Sequence, residues 1–162
     1  MVKLKKEIYQ ILLFLISLLV LLLAYAIQYL LGYQPCNLCL IERIPYMLAL
    51  IILILNYKFK EDKIFYSVLL FLIFVFSLLI SIYHFGIEQD LITESNVCGS
   101  NNIGLLITKD AILNSLQEIT VNCKDVAFTV FGLSLTTYNI IISLIMCLIS
   151  AKIFFINNEI KK

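Results

Sequence analysis

Charge is what this sequence has least of. Asp, Glu, Lys and Arg supply 14% of its 162 residues, against about 25% in soluble domains. Hydrophobic residues supply 62%. That balance excludes a soluble globular domain, and it excludes a disordered chain, which is poor in apolar residues. The net charge is only +1, so nothing electrostatic argues for a nucleic-acid partner. Tryptophan is absent, histidine occurs once and proline twice. With one histidine the chain has no histidine-rich path that would carry a metal ion through apolar spans. No internal repeat or low-complexity segment is evident. What remains is one small all-α domain lying largely in lipid.

A bilayer-crossing helix needs about 20 mostly apolar residues. Four stretches approach that, at about 8–31, 39–56, 64–87 and 135–156. They predict a four-transmembrane-helix bundle forming a single integral membrane domain over 1–162. Lysines set its direction. Lys3, Lys5 and Lys6 precede the first span, Lys58, Lys60 and Lys63 separate the second from the third, and Lys152, Lys161 and Lys162 mark the end of the fourth. Positive charge near span ends marks the cytoplasmic side, so both termini are expected inside. The connections at about 32–38 and 88–134 then face outward. The longer one carries six acids (Glu88, Asp90, Glu94, Asp110, Glu118, Asp125) against Lys109 and Lys124. Ala24-Tyr25-Ala26 has the look of a signal-peptide cleavage site, but the apolar run continues past it through Ile27, Tyr29, Leu30 and Leu31. It therefore reads as a retained span. Within the long outer loop, Thr108 can cap a short amphipathic helix. Ile112, Leu113, Leu116 and Ile119 fall on one face of it, and Lys109, Asp110, Asn114 and Gln117 elsewhere.

The same topology puts four of the five cysteines outside. Cys36 and Cys39 form a C-x-x-C at the mouth of the second span, and Cys98 and Cys123 lie in the long loop. Disulfides persist on that side of an envelope membrane. Cys147 lies inside the fourth span and reads as a small buried hydrophobe. A C-x-x-C serves metal sites and redox centres alike. Here Pro35 precedes it and the apolar run follows, so Cys39 falls near a helix start, where a thiolate is favoured. Arg43 lies four residues on, one turn along the same helical face. Together they predict Cys39 as the thiolate. Pro45 disfavours helical geometry at Ile44 and predicts a kink there. An arginine at the edge of a span is costly and tends to be functional, snorkelling or pairing with Glu42 being the bland account. His84 falls near the outer end of the third span, at the depth of Arg43. Two thiols, an arginine and a histidine between apolar walls suit a lipid-soluble cofactor with polar carbonyls, as a quinone has. Tyrosines near span ends, among them Tyr25, Tyr29, Tyr33, Tyr46 and Tyr83, form an interfacial belt.

The run Gln34-Pro35-Cys36-Asn37-Leu38-Cys39-Leu40-Ile41-Glu42-Arg43 resembles the first outer motif of the DsbB family of disulfide-bond formation proteins. Tyr83-His84-Phe85-Gly86-Ile87-Glu88 resembles that family's third-helix motif, and Phe131-Gly132-Leu133-Ser134-Leu135 the stretch leading into its last helix. Cys98 and Cys123 fall where the family has its second outer pair. The resemblance covers nearly the whole chain and implies a thiol:quinone oxidoreductase in a bacterial cytoplasmic (inner) membrane. It would reoxidise a DsbA-like thioredoxin-fold protein on the outer face and pass two electrons to a membrane quinone, ubiquinone or menaquinone. By position, Cys98 and Cys123 are the shuttle disulfide and Cys98 forms the mixed disulfide with the partner. Cys36 and Cys39 are the membrane-edge disulfide, with Cys39 next to the quinone. Arg43 and His84 match the quinone-site positions. The absence of tryptophan, and of proline between Cys98 and Cys123, departs from the family pattern and bears on how the partner docks.

Three other readings of the same residues stand beside this one. A non-catalytic four-span protein with structural outer disulfides leaves Arg43 and His84 unexplained. A metal carrier or sensor using Cys36, Cys39 and His84 lacks an acidic path through the spans. A relative of vitamin K epoxide reductase would carry its C-x-x-C late in the helix order, whereas here it opens the second span.

Overall fold

Long apolar runs with few helix breakers become helices because a chain in lipid must satisfy its own backbone. A computed structural model describes residues 2–58, 63–93, 98, 123–124 and 128–161. Helix α1 is Val2–Tyr29, α2 Asn37–Ile41, α3 Arg43–Lys58, α4 Lys63–Glu88 and α5 Leu135–Lys161. The amphipathic helix expected after Thr108 lies outside the described residues.

Helix α1 stops at Tyr29, two residues short of the apolar run. Gly32 there takes φ +75°, a left-handed turn open to glycine. The second span is split. Pro45 has no N–H for the carbonyl of Ile41, and the break falls at Glu42, the C-cap of α2. Before α5 the chain makes a feature the hydropathy pattern did not announce. Strands β1 (Thr129–Val130) and β2 (Leu133–Ser134) pair antiparallel, Val130 opposite Leu133. Phe131 and Gly132 form the two-residue loop with φ +51° and +80°. Positive φ at both positions is the hairpin turn that matches strand twist.

The spans pack as a closed ring: α1 against α3 and α5, α3 against α4, and α4 along α5. This is the all-α four-span bundle that the sequence predicts, and the chain is a multi-pass membrane protein. Leu13 and Leu21 meet Tyr46, Ala49, Ile52, Leu53, Leu70, Phe74, Met146 and Ile153 in its core. Lipid supplies no hydrophobic drive between helices, so hydroxyls and small residues tie them. Ser77 Oγ lies 2.9 Å from Ser143 Oγ, and Asn157 donates to Ser67 Oγ at 2.5 Å. Only 17–39% of each span is buried within the chain. The remainder is apolar and outward, as Leu22, Leu72, Phe76 and Leu148 show. Such a surface is suited to acyl chains as solvent.

Candidate functional site

At one end of the bundle a second buried cluster forms. Cys36, Leu38, Ile87, Cys98 and Cys123 pack together, with Cys39, Ile41 and Tyr83 against them. The two cysteine pairs therefore meet in one place. Cys98 and Cys123 are disulfide-bonded with Cα atoms 5.3 Å apart, and only 3% and 2% of their surfaces are exposed. Cys36 and Cys39 are free thiols with Sγ atoms 2.8 Å apart, near enough to close into a disulfide.

Local sequence sets this pair. Pro35 holds the approach, and Cys36 takes the extended N-cap conformation of α2 (φ −70°, ψ 168°). Its sulfur accepts the backbone N–H of Cys39 at 3.3 Å, the task an Asp or Ser oxygen usually performs. The Nε2 of His84 lies 3.6 Å from the same sulfur. Donors thus converge on Cys36 and bring its thiol down to about 5. The Cys39 thiol hydrogen bond contributes most, burial opposes, and His84 adds to the lowering. The sequence pointed to Cys39 as the thiolate. The correction follows from geometry: an N-cap side chain faces the free N–H groups, and a side chain one turn further in does not.

His84 is fully buried. Its Nδ1 faces Glu42 Oε1 at 3.1 Å and Thr136 Oγ1 at 3.5 Å. Glu42 is held in turn by Asn139, whose Nδ2 donates to Oε2 at 2.9 Å and to Ser81 Oγ at 2.8 Å. Tyr46 donates to Asn139 Oδ1 at 2.5 Å. Glu88 receives Thr136 Oγ1 at 2.6 Å and Ser134 Oγ at 2.7 Å. Glu42 is buried and Glu88 partly so; a buried carboxylate costs several kcal/mol unless hydrogen-bonded, and this web supplies the partners. Arg43 does not pair with Glu42, the bland expectation. Its Nη1 donates to Gln28 Oε1 at 2.6 Å, and its guanidinium stacks 5.0 Å over the Tyr25 ring.

A cavity of about 520 Å³ opens beside the thiols between α1, α3 and α5. Its walls are mainly apolar (Val20, Leu23, Ile27, Leu135, Ile142), with Cys36, Cys39, Glu42, Arg43 and Glu88 at the polar end. Tyr33 and Phe128, rings 5.0 Å apart, also line it. His84 is not on the wall: it stands behind Cys36. The structure therefore brings Arg43 and both free thiols to one cavity, sets His84 in contact with Cys36, and keeps the Cys98–Cys123 bond in the adjoining cluster. Cys147 is half-buried on α5, outside both. Sequence reasoning passed over Glu42, Glu88, Thr136 and Asn139 as site residues. The available signal was polarity inside or at the end of an apolar run, which in membranes marks packed or functional faces.

Two cysteine pairs gathered at one end of a four-span bundle, one free and one bonded, define a membrane protein of thiol–disulfide chemistry. Comparison gives the family. The family model described as "Disulfide bond formation protein DsbB" matches residues 6–153, and the chain belongs to that family. It is also 29% identical over 157 residues to an uncharacterised protein of Rickettsia prowazekii (strain Madrid E), covering 93% of this chain and 91% of that one. No solved structure matches it.

Proposed function

We propose that this protein is a quinone-dependent protein-disulfide oxidoreductase that reoxidises a DsbA-like thioredoxin-fold partner on the outer face of the cytoplasmic membrane. Family membership supports disulfide-forming chemistry. The observation that carries the finer reading is the meeting of both cysteine pairs beside an apolar cavity with a cation on its wall. The cavity lies within the usual 300–1,000 Å³ of small-molecule sites. Its aliphatic walls fit an isoprenoid-bearing ring, and Arg43 offers a permanent charge to a ring oxygen. A bound quinone supplies the two-electron sink that thiols alone lack.

Each residue then has a task. The partner's thiolate attacks Cys98, forms a mixed disulfide and leaves oxidised, so that Cys98 and Cys123 become thiols. With Cys98 and Cys123 nearly unexposed, docking must first open their contact with the Cys36 cluster. The reduced pair exchanges with the Cys36–Cys39 disulfide at Cys36, its neighbour in the cluster, and frees Cys39 at the cavity wall. Arg43 orients and stabilises charge there. His84 takes and returns the Cys36 proton, its ring fixed by Glu42. Cys36, held as thiolate, re-forms the bond to Cys39 as two electrons depart. The lysine pattern puts both termini inside, so the site faces outward. A purely structural disulfide accounts for Cys98–Cys123 and leaves the free pair beside the cavity without a task.

The test is oxidation of a reduced thioredoxin-fold protein by purified enzyme with added quinone. Each of Cys36→Ser, Cys39→Ser, Cys98→Ser and Cys123→Ser should abolish turnover, and Cys147→Ser should leave it intact. Full activity in any of the first four variants refutes the assignment.

A further inference from the structure

A disulfide-exchange reading uses Cys36 and Cys39 as sulfur atoms that trade bonds, and it needs nothing more of His84 than a proton. The geometry around these three residues is more specific than that. The two Sγ atoms and a ring nitrogen of His84 all lie within 4.8 Å of one another. Zinc bonds of about 2.3 Å to sulfur and about 2.05 Å to imidazole nitrogen, at a tetrahedral angle, set sulfur and nitrogen about 3.6 Å apart. The Cys36 Sγ to His84 Nε2 distance is 3.6 Å. Two zinc-bound sulfurs stand about 3.8 Å apart, so the 2.8 Å between Cys36 and Cys39 must widen by about 1 Å. A rotation of Cys39 about χ1 can provide it, because that side chain borders the cavity.

We propose that the reduced protein binds one thiophilic dication, Zn²⁺ by its donor set, through Cys36 Sγ, Cys39 Sγ and His84 Nε2. The surroundings are arranged as for a metal-ligating histidine. Its Nδ1 faces Glu42 Oε1 and its Nε2 faces the Cys36 sulfur; on metal binding Nε2 gives up the proton it shares with Cys36 and offers its lone pair to the dication. A carboxylate behind a ligating imidazole fixes the tautomer and orients the ring. Glu42 is itself fixed through its other oxygen by Asn139, so it holds its place and the ring cannot turn away without breaking its bond to that carboxylate. Charge agrees as well. Two thiolates are costly at the edge of a hydrocarbon span, and with one dication and a neutral imidazole they make a site of zero net charge. The fourth position opens on the cavity, where Glu42 and Glu88 give the wall a negative end.

Redox state gates such a site. A Cys36–Cys39 disulfide has no thiolate to offer, so oxidised protein holds no metal there. While the dication is bound, neither sulfur can re-form the disulfide, and turnover is held until the metal leaves. Metal binding rests on the three-atom geometry alone and is measured without quinone or partner. A failure of the oxidoreductase reading would therefore leave it standing, and the reverse holds too.

The experiment uses the full-length Cys98→Ser/Cys123→Ser protein in detergent, reduced with a phosphine and freed of it, then titrated with Zn²⁺ against a chromophoric chelator. One zinc per chain is expected in the reduced form and none after oxidation, a contrast read on a single folded protein. Cys36→Ser should abolish the site. His84→Ala should weaken it at least tenfold. Glu42→Gln should weaken it about ten- to a hundredfold through loss of the oriented imidazole. Zinc that stays bound after oxidation, or that ignores Cys36→Ser, sits elsewhere and overturns the proposal. Unchanged affinity in His84→Ala reduces the site to two sulfurs and overturns it also, as does the absence of binding to the reduced protein.

Discussion

Removing the His84 ring, the group that takes and returns the Cys36 proton, gives the sharpest measurement this site offers. In the folded chain the Cys36 thiol titrates at about 5, against an ordinary value of 9.0. The causes are the Cys39 hydrogen bond first, then burial acting in the opposite sense, then His84. The sign follows directly. A depressed thiol stabilises the fold fully above 9.0, progressively less below it, and not at all once pH has fallen through about 5. The imidazole contribution is one hydrogen bond to a charged sulfur at 3.6 Å. Such bonds are worth about 1.5–3 kcal/mol, and at 1.36 kcal/mol per pH unit the midpoint should rise by about one to two pH units in His84→Ala. His84→Gln, which keeps a donor without the charge, should fall between. The assay is the pH dependence of alkylation by a small thiol reagent, with Cys39, Cys98, Cys123 and Cys147 replaced by serine so that Cys36 is the sole thiol. Serine at position 39 keeps a hydroxyl donor in place, so parent and variant differ only at His84. A midpoint in His84→Ala within a few tenths of the parent would show that His84 does not hold the Cys36 thiolate, and the role given to it above would fall.

Three further outcomes are expected. Arg43→Ala should slow the quinone step about ten- to a hundredfold while leaving exchange with the partner near the parent rate, because a charged hydrogen bond worth about 1.5–3 kcal/mol is lost only at the cavity; Arg43→Lys should recover part of it, and pre-steady-state kinetics of the two half-reactions separates these from a docking defect. Labelling of cysteines introduced at Lys60 and at Asp110 in sealed cells should mark only the second from outside, and the reverse pattern would invert the orientation. Asn139→Leu strips a donor from Glu42 and an acceptor from Tyr46, and should lower stability in detergent by about 1–3 kcal/mol, read as a fall in the unfolding midpoint.

The bundle was legible because each helix is a long apolar run, and hydropathy needs no knowledge of neighbours. A break was legible in Pro45 for an equally local reason, but it falls at Glu42 and not at Ile44, which is helical; the lost bond is to the Ile41 carbonyl four residues back. The web around His84 was not, because it joins Glu42, His84 and Asn139 from three spans, and no periodicity says which faces meet. Glu42 shows the difficulty well. Beside Arg43 in sequence it looked like that residue's partner, yet it turns to His84 while Arg43 reaches back to Gln28 on α1. Phe131-Gly132 carried a signal in its glycine, but the flanking strands have two residues each, too few for an alternation to stand out. The identity of the thiolate was misread because helix position was counted from the apolar run and the true cap lies three residues earlier, at Cys36.

Ser134 carries a consequence for how the protein is made. Its hydroxyl accepts the Thr137 N–H at 3.3 Å and so caps α5, and the same oxygen donates to Glu88 at the end of α4. The fourth span is thus capped by an atom that also clasps the span before it. Until α5 docks, Glu88 lacks both its hydroxyl partners and Glu42 lacks Asn139, so the polar end of the cavity has no fixed shape. Docking of α5 and completion of the site are a single event. A chain truncated before α5, or stalled in insertion, would carry Cys36, Cys39, Cys98 and Cys123 without the finished cavity beside them.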